Sequence, residues 1–488
     1  MSESRSQVKP FDISKHMVWE AYLRVKANKG AAGVDGVSIE QFERDLKNNL
    51  FKLWNRMSSG SYFPPPVKAV EIPKAGGRGV RILGVPTVAD RIAQTVAAMQ
   101  LERVVEPIFH PDSYGYRPGR SALDAVGRCR ERCWKNDWVI DLDIRAFFDN
   151  VDHSLMLKAV ERHTDQKWIL LYVRRWLTAP LQQRDGTLTA RDRGTPQGSS
   201  ISPVLANLYL HYAMDMWLVR EFPGVTFERY CDDAVIHCGS EEQARQVRDA
   251  LAERLASVGL ELHPDKTHVV YCQDADRRDD HEVTSFTFLG YTFRPRLAKN
   301  RWGKHFVSFL PAVSKDAVTA MGREIRSWHI ARRSDKSLDD LALMFNSIVQ
   351  GWINFYGRFY KSMLYPLLRR INDHLVRWAM RKFKRLRRRE KRARLFLVSV
   401  FRRCPGLFAH WRFGLKPDGW TMGAVKAERL PHGSASGGGC DSPRRLSQRE
   451  STPAPRQGRG PRPDYCHPSK WGAIRKSQSR PEDLGRVS

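Results

Sequence analysis

No apolar run in this 488-residue chain approaches the ~20 residues that a membrane-crossing helix needs, and no apolar signal core follows the start, Met1-Ser-Glu-Ser-Arg-Ser-Gln. The eight cysteines form no C-x-x-C pair. Cys129 and Cys133 are spaced to share one helix face, which suits packing better than ligation. Neither a disulfide framework nor a zinc ribbon is supported, and a reducing cytoplasm is expected. Acid is scarce. Asp plus Glu total 53 against 82 Lys plus Arg, a formal charge of +29. An excess of one sign this large describes partners, not fold, and it favours nucleic acid over an anionic membrane. The length allows about two to four domains.

Against that background one stretch stands out: Phe227-Glu228-Arg229-Tyr230-Cys231-Asp232-Asp233-Ala234-Val235-Ile236-His237. Two β-leaning runs flank adjacent carboxylates. Like charges repel, and an ionised carboxylate loses hydration on burial. A cation between them offsets both costs, and Mg²⁺ prefers carboxylate oxygen. A polar turn would also explain the Asp pair, so a further carboxylate on another strand is needed. Trp138-Val139-Ile140-Asp141-Leu142-Asp143-Ile144 offers it: the alternation puts Asp141 and Asp143 on one face, Leu142 and Ile144 on the other.

Taken in order, residues 12–27 read as an amphipathic helix around Trp19 and Leu23. The glycine-rich loop Asn28–Gly36 has amides free for a phosphodiester, or is a plain surface loop. Ser38 caps a helix with the stripe Ile39, Phe42, Leu46, Leu50. Strands over 67–74 and 80–86 make a hairpin that brings Lys74 near Arg81, two cations suited to a triphosphate or to a solvated edge. Thr87 with Asp90 caps a helix Val88–Val105. Tyr114, Tyr116, Arg117 and Arg120 interleave aromatics with cations, as a polynucleotide groove needs. The loop Arg193–Pro203 leads into a helix through Leu205, Leu208, Tyr212 and Met216, an anion-binding arrangement or a simple cap. Ser240 and Gln243 cap another helix, which Gly259 stops, and Leu260-Glu261-Leu262 reads as the last strand. Strand–helix–strand–strand–helix–strand is the split βαβ pattern of ferredoxin-like domains and polymerase palms. Residues 311–395 look helical, with a nearly continuous basic helix starting at Arg381-Lys382-Phe383-Lys384-Arg385-Leu386-Arg387-Arg388-Arg389. So dense a run exceeds what solubility requires and points to nucleic acid. From about residue 425 the composition turns to Ser, Gly, Pro and Arg, and disorder is expected.

In order, Gly33-Val34-Asp35-Gly36, Ile72-Pro73-Lys74, Ser113-Tyr114-Gly115-Tyr116-Arg117-Pro118, Phe147-Phe148-Asp149, Gly194-Thr195-Pro196-Gln197-Gly198, Tyr230-Cys231-Asp232-Asp233, Lys266-Thr267 and Phe288-Leu289-Gly290-Tyr291 resemble the motifs of bacterial group II intron-encoded reverse transcriptase/maturases. The likeness covers about residues 15–420. It implies an α+β right-hand polymerase: fingers and palm with a ferredoxin-like split βαβ core, followed by an α-helical thumb/maturase domain. The implied division is an N-terminal extension of the fingers (1–55), fingers and palm (56–300), a helical thumb (310–395), a maturase extension (396–424) and a basic tail (425–488).

By motif position, Asp143, Asp232 and Asp233 would hold two Mg²⁺, with Mn²⁺ able to substitute. Lys74 and Arg81 would grip the incoming dNTP, Gln197 would line its pocket, and Phe148 would crowd a ribose 2′-OH. The Phe288–Tyr291 segment would approach the primer end. Arg117, Arg120, Arg381, Lys382, Lys384, Arg385, Arg387 and Arg388 would contact nucleic acid. The implied partners are group II intron RNA, a DNA primer or target and dNTPs, with no membrane, in a bacterial cytoplasmic ribonucleoprotein. Cys231 departs from the Ala found in many relatives, and packing beneath the metals is its expected role. Cys440 and Cys466 are isolated, so no HNH endonuclease is expected. The competing readings are a splicing maturase with an idle polymerase site, and a retron or diversity-generating reverse transcriptase. The complete carboxylate set opposes the first; the long basic thumb and the extended N-terminal glycine-rich segment oppose the second.

Overall fold

The computed structural model describes residues 9–73 and 79–418, so Lys74 and the tail from residue 425, with Cys440 and Cys466, lie outside the described residues. The chain forms two units that part between Ala317 and Val318.

The first unit is built on a four-stranded sheet. Its strands are β1 (Trp138–Asp143), β2 (Thr226–Tyr230), β3 (Asp233–Cys238) and β4 (His268–Tyr271), in the order β2-β3-β1-β4 with every neighbouring pair antiparallel. Period-2 alternation divides the faces. Trp138, Ile140 and Leu142 join Phe227, Ala234 and Ile236 in the hydrophobic core, together with the helices α1 (Val88–Val105) and, later in the chain, Glu241–Ala256. Asp141 and Asp143 alternate to the other face. The strand expected at Leu260–Leu262 is instead β4; Leu262 makes only an isolated bridge with Ile144. Pro264 cannot donate to a ladder, and the apolar pair Val269-Val270 beyond it does the pairing.

Helix α1 starts at Thr87, whose hydroxyl accepts from the Asp90 amide. The first helix runs Lys15–Ala27 but is rotated from expectation. Val18, Ala21, Tyr22 and Val25 are buried, whereas Trp19 and Leu23 are exposed. A small residue, Ala21, at the centre of the buried face lets that face pack closely, which a face centred on Trp19 would not. Val67–Pro73 and Val80–Val85 form the antiparallel hairpin, with Arg81 opposite Ile72. Phe286–Phe288, Tyr291–Lys299 and His305–Val313 form a further sheet, so the helical region begins at Lys315 rather than 311.

The second unit contains helices Leu338–Tyr356, Tyr365–Lys382 and Glu390–Arg403. The expected continuous basic helix is broken. Phe383 leaves helical geometry at φ −108, ψ 114, and Lys384–Leu386 is a 3₁₀ turn. The break buries Leu386 and packs Phe383 edge-on against Trp378 and Phe396. Apolar burial thus overrides helix propensity within the cationic run. No described helix is long and apolar enough to cross a membrane.

Candidate active site

β2 and β3 are joined by a tight turn, Tyr230-Cys231-Asp232-Asp233, in which Cys231 has φ +63. A left-handed residue suits the twist of a two-residue hairpin. Asp233 lies directly opposite Asp143 on β1, and Asp141 lies two residues further along the same face. Four carboxylates therefore meet at one end of the sheet. Asp232 and Asp233 are both raised above the usual carboxylate range, Asp233 strongly. Burial is the main cause, and repulsion from neighbouring Asp residues adds to it. Burial and the charge of Asp143 push Asp141 up to about 7. The backbone of Thr287 partners the Asp141 carboxylate and that of Leu289 partners Asp233, so the Phe286–Phe288 strand closes over this face.

The cations present are few. Lys266 forms an ion pair with Asp143. Arg81 acts electrostatically on Asp232 and on Tyr116. An exposed lysine pair is weak and displaceable. A hard divalent cation fits this donor set: all the donors are carboxylate oxygens, neighbouring Asp charges help raise Asp141, Asp232 and Asp233, and binding a cation would reverse that repulsion.

The supports were not legible in the sequence. Arg229 is fully buried and forms a two-pronged ion pair with Asp215 at 2.7 and 2.6 Å. Its remaining nitrogen donates to Asn207 and to the Cys231 carbonyl, both at 3.1 Å. Asn207 in turn donates to the Gly115 carbonyl at 2.7 Å. The helix expected through Leu205 to Met216 is interrupted by a π turn, His211–Asp215, while Tyr212 and Met216 stay exposed. A π insertion shifts the helix face, and here Asp215 lies buried against Arg229. Charged residues inside two apolar runs were the available signal.

Residues 112–114 pair with β2 through Tyr114 N–H to Arg229 O (2.8 Å) and Arg229 N–H to Asp112 O (2.9 Å). Gly115 follows, and a Cβ there would lie 2.5 Å from the Cys231 nitrogen. Gly115→Ala is therefore expected to push the Asp turn aside. It should cost about 1–3 kcal/mol, read as a melting temperature lower by about 5 °C.

The other expected site residues fall in three groups. Phe148 sits on the short helix Phe147–Asn150, where its carbonyl accepts from the Thr195 amide at 2.7 Å. Gly194, at φ +77, makes that approach possible, since a Cβ there would lie 2.8 Å from the Phe148 oxygen. Gln197 is held through its carbonyl, which accepts from the Gly84 amide at 2.9 Å beside the Arg81 strand. The cations are less uniform. Arg120 stacks over Tyr114. Arg117 is a correction: it is buried, paired with Glu106 and donating to the His110 and Ser113 carbonyls, so it braces the loop instead of facing a groove. Lys382 donates to the carbonyls of Ser334 and Lys336, whereas Arg381, Lys384, Arg385, Arg387 and Arg388 are exposed.

Residues 72–293 match the family described as reverse transcriptase (RNA-dependent DNA polymerase), and residues 318–396 match the group II intron maturase-specific domain. The chain is 33% identical over 336 residues to Protein YkfC of Escherichia coli, covering 60% of this chain and 84% of that protein. It is 30% identical over 191 residues to the group II intron-encoded protein LtrA of Lactococcus lactis, covering 39% of this chain and 32% of LtrA. A putative COX1/OXI3 intron 1 protein of Saccharomyces cerevisiae is 26% identical over 368 residues, covering 65% of this chain and 41% of that protein.

Proposed function

The chain belongs to the family of group II intron reverse transcriptases and maturases, and from that premise we propose that it copies intron RNA into DNA and binds the same RNA to assist splicing. The observation that carries the polymerase half is the convergence of Asp143, Asp232 and Asp233 at one sheet end beneath Arg81.

In this reading the sheet is the palm of a right hand, with residues 56–300 as fingers and palm and 310–395 as thumb. Asp143, Asp232 and Asp233 hold two Mg²⁺, with Mn²⁺ able to substitute. When bound, the ions supply Lewis-acid activation of a primer 3′-OH and neutralise charge on the leaving pyrophosphate. The chain's own part is positioning. Arg81, together with Lys74, holds the triphosphate. Gln197 lines the nucleotide pocket, and the Phe288–Tyr291 segment approaches the primer end. Phe148, braced at its backbone by Thr195, crowds the sugar 2′ position. The exposed cations Lys384, Arg385, Arg387 and Arg388 give the intron RNA a contact surface of backbone-reading type. The protein works as a ribonucleoprotein in a bacterial cytoplasm.

Primer extension on an RNA template with Mg²⁺ tests this. Wild-type protein should extend with dNTPs and discriminate against rNTPs. Phe148→Ala should lower the ratio of kcat/KM for dNTP over rNTP by about tenfold or more, since the steric term acts only on the 2′-OH. An unchanged ratio would remove Phe148 from the pocket; no extension by the wild type would favour the idle-site reading.

A further inference from the structure

Further along the strands that carry the Asp pair lies a second donor cluster, of different chemistry. We propose that Cys129 and Cys133 of the helix α2 (Ala122–Cys133), Glu228 of β2 and His237 of β3 form a structural Zn²⁺ site.

The donors already converge. Cys129 Sγ, a Glu228 carboxylate oxygen and a His237 ring nitrogen all lie within 4.8 Å of one another. Cys133 Sγ is 4.0 Å from Cys129 Sγ, outside that set of three, and would swing in as the fourth donor. Zn–S near 2.3 Å and Zn–N or Zn–O near 2.0–2.1 Å put the donors of a tetrahedral site roughly 3.3–3.8 Å apart, so shifts of about 1 Å close the set of three, and a larger swing of the Cys133 side chain completes it. The spacing of the two cysteines places both sulfurs on one helix face. All four residues are buried. His237 Nδ1 is buried without an aligned hydrogen-bond partner, and the Cys133 thiol lies beside the ring.

The surroundings suit an ion. His237 Nε2 and Glu228 Oε2 are 2.6 Å apart and share a proton, whose place the metal takes. Arg132 pairs with the other Glu228 oxygen and, at 2.6 Å, with Asp112, so the carboxylate stays oriented and its charge balanced. Binding releases the thiol protons and the shared imidazole proton to solvent; nothing is oxidised or reduced. Burial pushes both thiols up to about 12 when no cation is present, and a coordinating metal reverses that. Sulfur and imidazole donors select zinc over the hard ion that suits the Asp cluster. Three residues lie between Asp233 and His237 on β3, about 13 Å of strand. The ion would thus join α2 to both strands of the Asp hairpin without touching the polymerase chemistry.

The test uses full-length protein expressed with zinc and purified under reducing conditions, then its Co²⁺-substituted form. Wild type should hold about one zinc per chain and, with Co²⁺, show thiolate-to-metal charge transfer and tetrahedral bands. Cys129→Ala and Cys133→Ala should lose both signals. Asp232→Asn, and the tail variant Cys440→Ser/Cys466→Ser, should keep them, because oxygen ligation by the Asp cluster gives no thiolate band. A chelator should lower the melting temperature of wild type. Folded wild type without zinc or the band, or a band that survives in Cys129→Ala, overturns the site. If the cysteine variants do not fold, a wild-type melting temperature unmoved by chelator overturns it equally.

Discussion

Asp232→Asn is expected to lower primer extension on an RNA template by about a thousandfold or more, equivalent to about 4 kcal/mol in the barrier. The substitution keeps the side chain's shape and removes one negative charge from a cluster whose purpose, in the proposed reading, is to hold cations. Asp232 lies at the tip of the β2–β3 turn and shares the field of Asp143 and Arg81. Without its charge the Asp143–Asp233 pair remains, but one corner of the cation site is neutral. Splicing of the intron RNA should persist in the same variant, because RNA binding is assigned to the exposed cations Lys384 to Arg388 in the other unit. Extension at the wild-type rate would overturn the site assignment. Loss of splicing along with extension would show that the carboxylates also serve RNA folding.

Asp215→Ala is expected to destabilise the first unit by about 3–5 kcal/mol, because it leaves Arg229 charged and fully buried without its partner. For a unit of this size the melting temperature should fall by about 10 °C. Arg229 also donates to the Cys231 carbonyl, so the Asp turn should loosen as well. The double variant Asp215→Leu/Arg229→Met separates the two effects. Replacing both charges by apolar groups of similar volume should restore most of the stability. It cannot restore the donor to Cys231, so primer extension should stay reduced by about tenfold. Thermal melting and steady-state extension on wild type, Asp215→Leu, Arg229→Met and the double variant read this directly. Full recovery of extension would mean that the tether to Cys231 does not matter.

These two variants mark the line between what the chain spelled out and what folding added. Asp232 was visible because a carboxylate pair between two β-leaning runs is an electrostatic anomaly, and Asp143 followed from the alternation of its strand. Helix α1 was equally open, with its start at Thr87 fixed by a local side-chain-to-amide bond. Such features depend on residues a few positions apart. Asp215 and Arg229 are fourteen residues apart and meet only because a π turn brings one inward and the sheet buries the other. Arg117 reads as a groove cation by composition, yet Glu106 and two carbonyls claim it. The basic run from Arg381 has high helix propensity, but the burial of Leu386 and the ring packing of Phe383 break it.

Sequence alone determined the α+β class and the likeness to group II intron reverse transcriptases, and it pointed to Asp143, Asp232 and Asp233 as the proposed cation site, because order and alternation are one-dimensional properties. Tertiary structure decided which charges are available. It drew Arg117 and Lys382 into internal contacts, left Lys384, Arg385, Arg387 and Arg388 exposed, and gathered Cys129, Glu228 and His237 from three elements into one cluster beside Cys133. The reason is physical. A local pattern fixes which face a side chain takes, but its partner is set by packing between elements distant in the chain, and burial then decides whether a charge or thiol meets solvent, a counter-ion or a metal.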